Sequence, residues 1–265
     1  MMKIDKDLFE YFVPAAIEAT GTIFAAVEDF LETSEHELQS RLIGGVSLSD
    51  DLQRIATRWV CMDAFDKAAP MLDLVATPTG FGVVNNQNVS PASTARVEAL
   101  RASLQQRRDL CYEELLNLLR SAPWATTPQA RANIPAFIYM PSQLLSFGKS
   151  NNMQSLMECR PAINSQMERI RCAVSDEQVE AMLHAIRAAD HSNSSWNLVQ
   201  TLLMSSVGYA IASDYTAANR ELSRAVNFME SKLEDFPLYR DSNAYKVKHF
   251  SRYENKRDDP SYFFG

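Results

Sequence analysis

Residues 49–68, SDDLQRIATRWVCMDAFDKA, have the spacing of side chains that decides the fold class. Apolar residues recur there every three or four positions, which places them on one face of an α-helix. Ser49 or Asp50 precedes the pattern and supplies an oxygen acceptor for the free N–H groups of a first helical turn. The stretch therefore predicts a long helix with one buried face, formed by Leu52, Ile55, Ala56, Trp59, Met62 and Phe65.

The same spacing continues on both sides of this stretch. Towards the N-terminus, Pro14 occupies the first-turn position of another helix, and Gly44 and Gly45 end the apolar pattern that follows. Towards the C-terminus, Ser90 and Pro91 are typical of a cap and a first turn, and they predict a further long helix. Most of the chain is therefore expected to be helical.

The chain divides into two halves with a similar order of helices. Residues 34–43 (SEHELQSRLI) align with residues 175–184 (SDEQVEAMLH), and residues 49–68 align in pattern with residues 194–213. Between the halves, four prolines within residues 121–142 cannot lie in one helix.

The predicted fold is therefore all-α: a helical bundle of two similar helical repeats, with a short β-hairpin insertion in the first and an extended C-terminal arm. The bounds are 1–122 for the first repeat, 123–142 for a proline-rich linker, 143–235 for the second repeat and 236–265 for the arm.

The insertion, at about residues 72–89, has no counterpart in the second half. Its Gly80-Phe81-Gly82 segment follows an apolar run, as in a phosphate-binding loop, but Asn85 stands where the third glycine belongs. Both flanking segments are predicted helices, so a dinucleotide site is not expected. Residues 77–80 have the composition of a tight turn, and residues 72–75 and 81–84 can pair across it as a hairpin.

An isolated two-stranded hairpin is barely stable in water, so this one needs a surface to pack against. That surface is either its own helices or a neighbouring subunit, and we predict the neighbour. The residues predicted to make this contact are Leu74, Phe81, Val83, Val84 and Asn85.

The C-terminal arm, residues 236–265, mixes charged and aromatic residues without a long apolar period. Such a segment either packs on its own domain or docks on a neighbouring molecule. A local excess of Lys and Arg within it is interpreted as a contact with a protein partner rather than with DNA. The residues predicted to dock are Tyr245, Phe250, Tyr253, Tyr262, Phe263 and Phe264.

The composition argues against several classes of protein. A net charge of −7 argues against a protein that coats nucleic acid, which normally has a basic excess. The four cysteines lack the short spacing of a zinc site and are expected to be buried free thiols in a reducing compartment. No window approaches the ~18 uninterrupted apolar residues of a membrane span, and the N-terminus lacks the apolar region of a signal peptide. A soluble protein made in the cytoplasm, without membrane contact, is expected.

No pattern typical of catalysis or cofactor binding is present in the sequence. A di-iron bundle requires Glu-x-x-His, and none of the four histidines has a glutamate three residues before it. A Gly-x-Ser-x-Gly nucleophile motif is also missing. Asp63 and Asp66 flank an apolar helix face and are interpreted as solvated or capping residues rather than paired catalytic carboxylates. No catalytic residue, metal ion or cofactor is therefore expected.

Two motifs follow one another around the insertion: G-F-x-V-x-N at residues 80–85, then P-A-S-x-x-R-V at residues 91–97. With residues 58–119 as a whole and the opening segment 13–44, they resemble small helical virion proteins of tailed phages, particularly phages of gut Bacteroidetes. The similarity is to head–tail connector proteins, also called adaptor or head-completion proteins.

This resemblance implies a ring of identical subunits, typically twelve, below the portal of the capsid. Its arms would contact the portal protein above and tail or other connector proteins below. DNA would pass through the central channel without sequence-specific binding. The protein would lie at the head–tail junction of the virion after synthesis in the host cytoplasm.

Two other functions remain open at this point. The same helical body would suit a non-viral helical-repeat module for protein interaction. It would also suit an enzyme whose site is assembled between the two repeats.

Overall fold

The computed structural model describes residues 3–16, 22–72, 74–77, 80–83 and 94–250. Every long element in these ranges is an α-helix, which confirms the predicted all-α class. The helices are α1 (Lys6–Phe12), α2 (Thr22–Leu38), α3 (Asp50–Leu72), α4 (Thr94–Leu119), α5 (Ala122–Ala125), α6 (Pro128–Asn133), α7 (Met153–Val174), α8 (Asp176–Arg187), α9 (Ser194–Ile211), α10 (Tyr215–Ser231), α11 (Pro237–Arg240) and α12 (Asn243–Lys248).

Two four-residue strands, β1 (Leu74–Thr77) and β2 (Gly80–Val83), lie between α3 and α4 and pair antiparallel. Leu74 stands opposite Val83, and Thr77 stands opposite Gly80. The strand bounds predicted from the sequence, 72–75 and 81–84, differ from these because α3 continues to Leu72.

The chain forms two compact units. The first contains residues 1–160 and 183–192, and the second contains residues 161–182 and 193–265.

In the first unit, α2 packs on α3 and α3 packs on α4. The ring of Phe9 on α1 lies 5.7 Å from that of Phe24 on α2 and 6.3 Å from that of Phe65 on α3. Helix α1 therefore packs against both α2 and α3. Ser49 accepts a hydrogen bond from the backbone N–H of Leu52 at 3.4 Å, as its predicted capping role requires. The apolar face predicted for residues 49–68 includes the buried Ala56, Met62 and Phe65.

Residues 123–142, predicted to be a proline-rich linker between the two halves, lie within the first compact unit. Trp124, Ile134, Phe137 and Ile138 are all buried there. The prolines start short helices here instead of interrupting a long one: Pro123 and Pro128 occupy the first turns of α5 and α6. A proline is tolerated at that position because its missing N–H would have no helical partner.

The second unit is built on α9 and α10, which pack against each other. A buried chain of hydrogen bonds joins them to α7: Gln166 donates to the Ser206 hydroxyl at 2.9 Å, and Ser206 donates to the Ala218 carbonyl at 2.8 Å. Helix α7 begins at Met153, where Asn152 caps it by accepting from Ser155 N–H at 2.7 Å.

The predicted arm begins later than residue 236. Phe236 and Tyr239 are fully buried in the second unit, and α11 and α12 follow them. Burial of these two rings makes Phe236 and Tyr239 part of the core. Residues 251–265 lie outside the described part of the chain.

Candidate functional site

The helices on either side of the hairpin are joined by a cluster of ion pairs around Asp63 of α3. Asp63 is 5% exposed. Its Oδ1 accepts from Arg108 of α4 at 2.8 Å, and its Oδ2 accepts from the Ser34 hydroxyl of α2 at 2.8 Å and pairs with Lys67 Nζ at 2.7 Å. A carboxylate removed from water needs such partners, because burying it unpaired costs several kcal/mol.

Asp66, one helical turn further along α3, extends this cluster. It pairs with Arg108 at 3.3 Å and with Arg101, nearer the start of α4, at 3.2 Å. The cluster therefore joins α2, α3 and α4 where α3 leads to β1. The sequence-based interpretation of Asp63 as solvated was wrong, because helical periodicity does not reveal cations contributed by other helices.

Three of the five hairpin residues predicted to contact a neighbour lie in the described strands. Leu74 and Val83 form one cross-strand pair, and Phe81 stands opposite Ala76 in the register. Val84 and Asn85 lie outside the described residues. Contact between this hairpin and a neighbouring subunit stays a prediction.

A second carboxylate cluster lies at the start of the arm. Glu230 Oε1, near the end of α10, accepts from Tyr239 Oη at 3.0 Å, pairs with Lys248 Nζ at 2.8 Å and lies 3.1 Å from His249 Nε2. Tyr245 stacks in the same place, with its ring centroid 5.5 Å from that of Tyr239 and 4.3 Å from that of His249. The cluster therefore holds α12 against α10.

These contacts change the protonation of the groups involved. Burial opposes ionisation of Glu230, but the hydrogen bonds from Lys248, His249 and Tyr239 outweigh it, so the pKa of Glu230 lies below its ordinary value. Burial, followed by the hydrogen bond to Glu230, raises the pKa of Tyr239. The phenol therefore stays protonated and remains a donor to the carboxylate.

The predicted arm residues fall into two groups. Tyr245 is half-buried in the Glu230 cluster, while Phe250, where the described chain ends, is 77% exposed. Tyr253, Tyr262, Phe263 and Phe264 lie outside the described residues. The hairpin residues belong to the first unit and the arm residues to the second.

The first unit also has an open groove, of about 620 Å³, that sequence reasoning missed. Arg54 and Arg58, one turn apart on α3, line it together with Arg107 of α4. Arg58 forms an ion pair with Glu114 and donates to Cys111 Sγ at 3.3 Å. The spacing of Arg54 and Arg58 marks a shared helix face. Nothing in the sequence indicates that Arg107, about fifty residues away, faces them.

The prediction that the cysteines are buried free thiols holds for two of the four. Cys61 and Cys111 are free and buried, and burial raises the pKa of Cys61 to about 12. Cys159 is only half-buried, and Cys172 is exposed.

Within the described ranges, no group of three or more His, Cys, Asp or Glu side chains is arranged to hold a metal ion. A search of the same residues finds no helix with the length and apolar character needed to cross a membrane.

A model of a family of unknown function (DUF6712) matches residues 24–134 and 200–249, more than half of the chain. The matched ranges include all of α3 and α4, and the segment from within α9 to α12. They therefore contain both carboxylate clusters and the hairpin. Comparison with curated proteins and with solved structures finds no significant match.

Proposed function

The chain belongs to a family of unknown function (DUF6712), and we propose that it is a structural virion protein of a tailed phage. In this proposal it forms part of the head–tail connector ring below the portal. The ring is a homo-oligomer, its neighbours are the portal protein and tail or other connector proteins, and the protein has no enzymatic role.

The observation that supports this proposal best is that ion-pair clusters fix the helices to which the hairpin and the C-terminal arm are attached. The hairpin lies between α3 and α4, which the Asp63 cluster joins. The Glu230 cluster holds α12, the last described helix of the arm, against α10. A segment that binds a neighbouring subunit benefits from attachment to a fixed helix, because ordering a mobile attachment point on binding would cost conformational entropy.

The placement of the two segments also fits a ring. A closed ring of identical subunits needs two different surfaces on each subunit, one for each neighbour. Here one segment belongs to the first unit and the other to the second. We propose that the hairpin contacts one neighbour and that the arm contacts another protein surface in the assembly.

The resemblance of residues 58–119 to connector proteins supplies the phage context. The net charge of −7 is compatible with a channel that DNA crosses without adhering, since like charges repel phosphates. We also retain the internal duplication as part of the proposal. The order of α8 and α9 supports it, since these helices occupy the two segments that align with the first half.

Electron microscopy of negatively stained particles tests this function. The purified full-length protein, alone and mixed with its portal protein, is expected to form rings or to add a layer beneath the portal. Mass spectrometry of purified virions is expected to detect the chain. A protein that stays monomeric with the portal and is absent from virions would overturn the proposal.

A further inference from the structure

The groove of the first unit has an unusual combination of charge and apolar surface. Three arginines, Arg54, Arg58 and Arg107, line it against the acids Asp51 and Glu114. The groove is therefore positive by one charge, although the whole chain is negative by seven. A positive site on an acidic protein attracts an acidic partner more than a neutral one.

Two of these arginines have guanidinium groups available for a ligand. Arg54 donates only a long hydrogen bond, 3.4 Å, to the Tyr11 hydroxyl. Arg107 is exposed and forms no ion pair with any carboxylate in the described part of the chain. The planar guanidinium group suits carboxylates because it can donate two parallel hydrogen bonds.

The remaining lining is apolar and aromatic. Phe12 and Ile55 form part of the wall, and two large residues there are exposed: Tyr11 at 64% and Leu118 at 51%. Tyr11 and Phe12 lie with ring centroids 5.1 Å apart at near right angles. Exposed apolar side chains around a cleft are typical of a surface that another molecule covers.

The chain itself contains a segment with matching chemistry. Residues 258–264, DDPSYFF, have two adjacent aspartates, no basic residue and three aromatic rings. The aspartates suit the arginines, and the rings suit the apolar wall and can also stack on guanidinium groups. This segment lies within residues 251–265, beyond the last described residue, Phe250.

We propose that the groove lined by Arg54, Arg58 and Arg107 binds residues 258–264 of a second copy of this chain. The proposal rests on the proposed function, because it assigns one contact of the homo-oligomeric ring to a specific pair of surfaces. The seven residues between Phe250 and this segment can extend up to about 25 Å, which limits how far from Phe250 the groove of the second copy can lie.

A nucleic acid is the other ligand class that arginines attract. The acids Asp51 and Glu114 oppose a phosphate backbone in this groove, and the apolar wall gains nothing from sugars and phosphates. A peptide with aspartates next to aromatic rings satisfies both parts of the lining. The observations therefore favour the peptide, and a DNA ligand is an outcome that the test can detect.

A synthetic peptide of residues 251–265, fluorescently labelled and amidated at its C-terminus, provides the binding probe. Its anisotropy is measured with the full-length protein, so binding is read out whether or not rings form. The double substitution Arg54→Glu and Arg107→Glu is expected to weaken binding by tenfold or more. Arg131→Glu, an exposed position on α6 with the same charge change, is the matched control and should bind like the wild type.

The peptide has its own control, in which Asp258 and Asp259 are replaced by lysine. Loss of binding by this peptide supports the ionic part of the proposal. Equal binding of both peptides, equal binding by the groove variant, or no binding at all would overturn it. Displacement of the peptide by short double-stranded DNA would show that the groove binds nucleic acid instead. Thermal unfolding verifies that each protein variant is folded.

Mixing two full-length variants shows whether the contact forms between copies. One variant has the altered groove, and the other has lysine at positions 258 and 259. Each alone should lose chemical cross-links between groove and arm, and the mixture should regain them, because one intact groove meets one intact arm. No recovery on mixing would overturn the assignment to a second copy. If the wild type and both variants form rings equally well, this inference is overturned but the proposed function is not. If the wild type forms no assembly at all, the proposed function is contradicted.

Discussion

Trp124 donates its indole N–H to the backbone carbonyl of Leu42 at 2.9 Å, although 82 residues separate them in sequence. Leu42 lies in a π-helical turn, Gln39–Ile43, that ends α2. Gln129 and Asn133 donate to the two preceding carbonyls, those of Ser40 and Arg41, at 3.0 and 2.8 Å. Three consecutive carbonyls that lack a helical partner are thus satisfied by one distant segment.

Substitution of Trp124 by phenylalanine should destabilise the protein by about 2–4 kcal/mol. The change removes a donor from a buried carbonyl and leaves a small cavity. Urea unfolding measures the difference. Trp196→Phe is the matched control, since the Trp196 indole also donates to a carbonyl, that of Asp235 at 2.9 Å, but is only half-buried. Equal losses in the two variants would contradict the role assigned to Trp124.

Gly44→Ala should destabilise the protein more than Gly45→Ala. Both glycines have left-handed backbone angles, φ +69° and +80°, which cost a non-glycine residue about 1–2 kcal/mol. A Cβ on Gly44 would also lie 2.5 Å from Gln129 Oε1, whereas one on Gly45 would meet nothing within 4 Å. Gln129 would then have to release the Ser40 carbonyl. Thermal unfolding compares the two variants, and an equal shift in Tm would show that Gln129 adjusts freely.

Asp63→Asn should cost about 3 kcal/mol of unfolding free energy, because a buried ion pair loses one partner while the cations remain. Asp51→Asn, an exposed change of the same kind on the same helix, should stay within about 0.5 kcal/mol. Denaturant unfolding at neutral pH measures both. A small effect at Asp63 would mean that Glu37, which pairs with Lys67 at 3.2 Å, and Asp66, which pairs with Arg108, compensate for it fully.

Glu230→Gln should remove a pH-dependent contribution to stability. The folded-state pKa of Glu230 lies below its ordinary value of 4.5, so its stabilisation is present above that value and is lost as pH falls through the lowered pKa. The wild type should therefore exceed the variant in stability at pH ~7, and the gap should narrow as the pH falls below 4.5. The exposed Glu234→Gln is the control. A gap that is constant with pH would show that the charge of Glu230 is not what matters.

The Glu230→Gln substitution should also increase local opening of α12, the last described helix of the arm. Backbone amides of α12 are expected to exchange with deuterium faster in Glu230→Gln than in the wild type, since Lys248 and His249 lose their ionised partner. Amides of α9, which belongs to the same unit, serve as the internal reference. Faster exchange throughout the unit would indicate general destabilisation instead.

Removal of residues 251–265 should leave Tm nearly unchanged and reduce self-association. Phe250 is the last described residue and is exposed, so this cut removes none of the buried residues described in the structure. A cut before residue 236 should lower Tm sharply because Phe236 and Tyr239 are buried. Circular dichroism and light scattering measure the two properties. A large loss of Tm after the shorter deletion would place the arm in the core.

The local spacing of apolar residues was sufficient to predict the long helices, because helix formation depends on neighbours three and four residues away. The stretch 49–68 predicted most of α3, and Gly44 predicted the end of the segment before it, which its left-handed backbone explains. The same logic placed α8, α9 and α10 near their observed bounds. It did not reveal that residues 123–142, predicted as a proline-rich linker, are packed within the first unit.

The candidate sites depended on contacts that sequence distance hides. Asp63 and Arg108 are 45 residues apart, and nothing in either helix alone indicates that one neutralises the other. The groove likewise brings Arg54 and Arg107 together from separate helices.

The sequence by itself determined an all-α chain, the periods of its long helices and a segment between α3 and α4 unlike its surroundings. Only the tertiary structure decided which polar groups are buried, which charges are paired and which segments belong to the core. The physical reason is range: helical hydrogen bonds form within four residues, whereas the solvation of a group such as Asp63 or Trp124 depends on residues brought there by the whole fold.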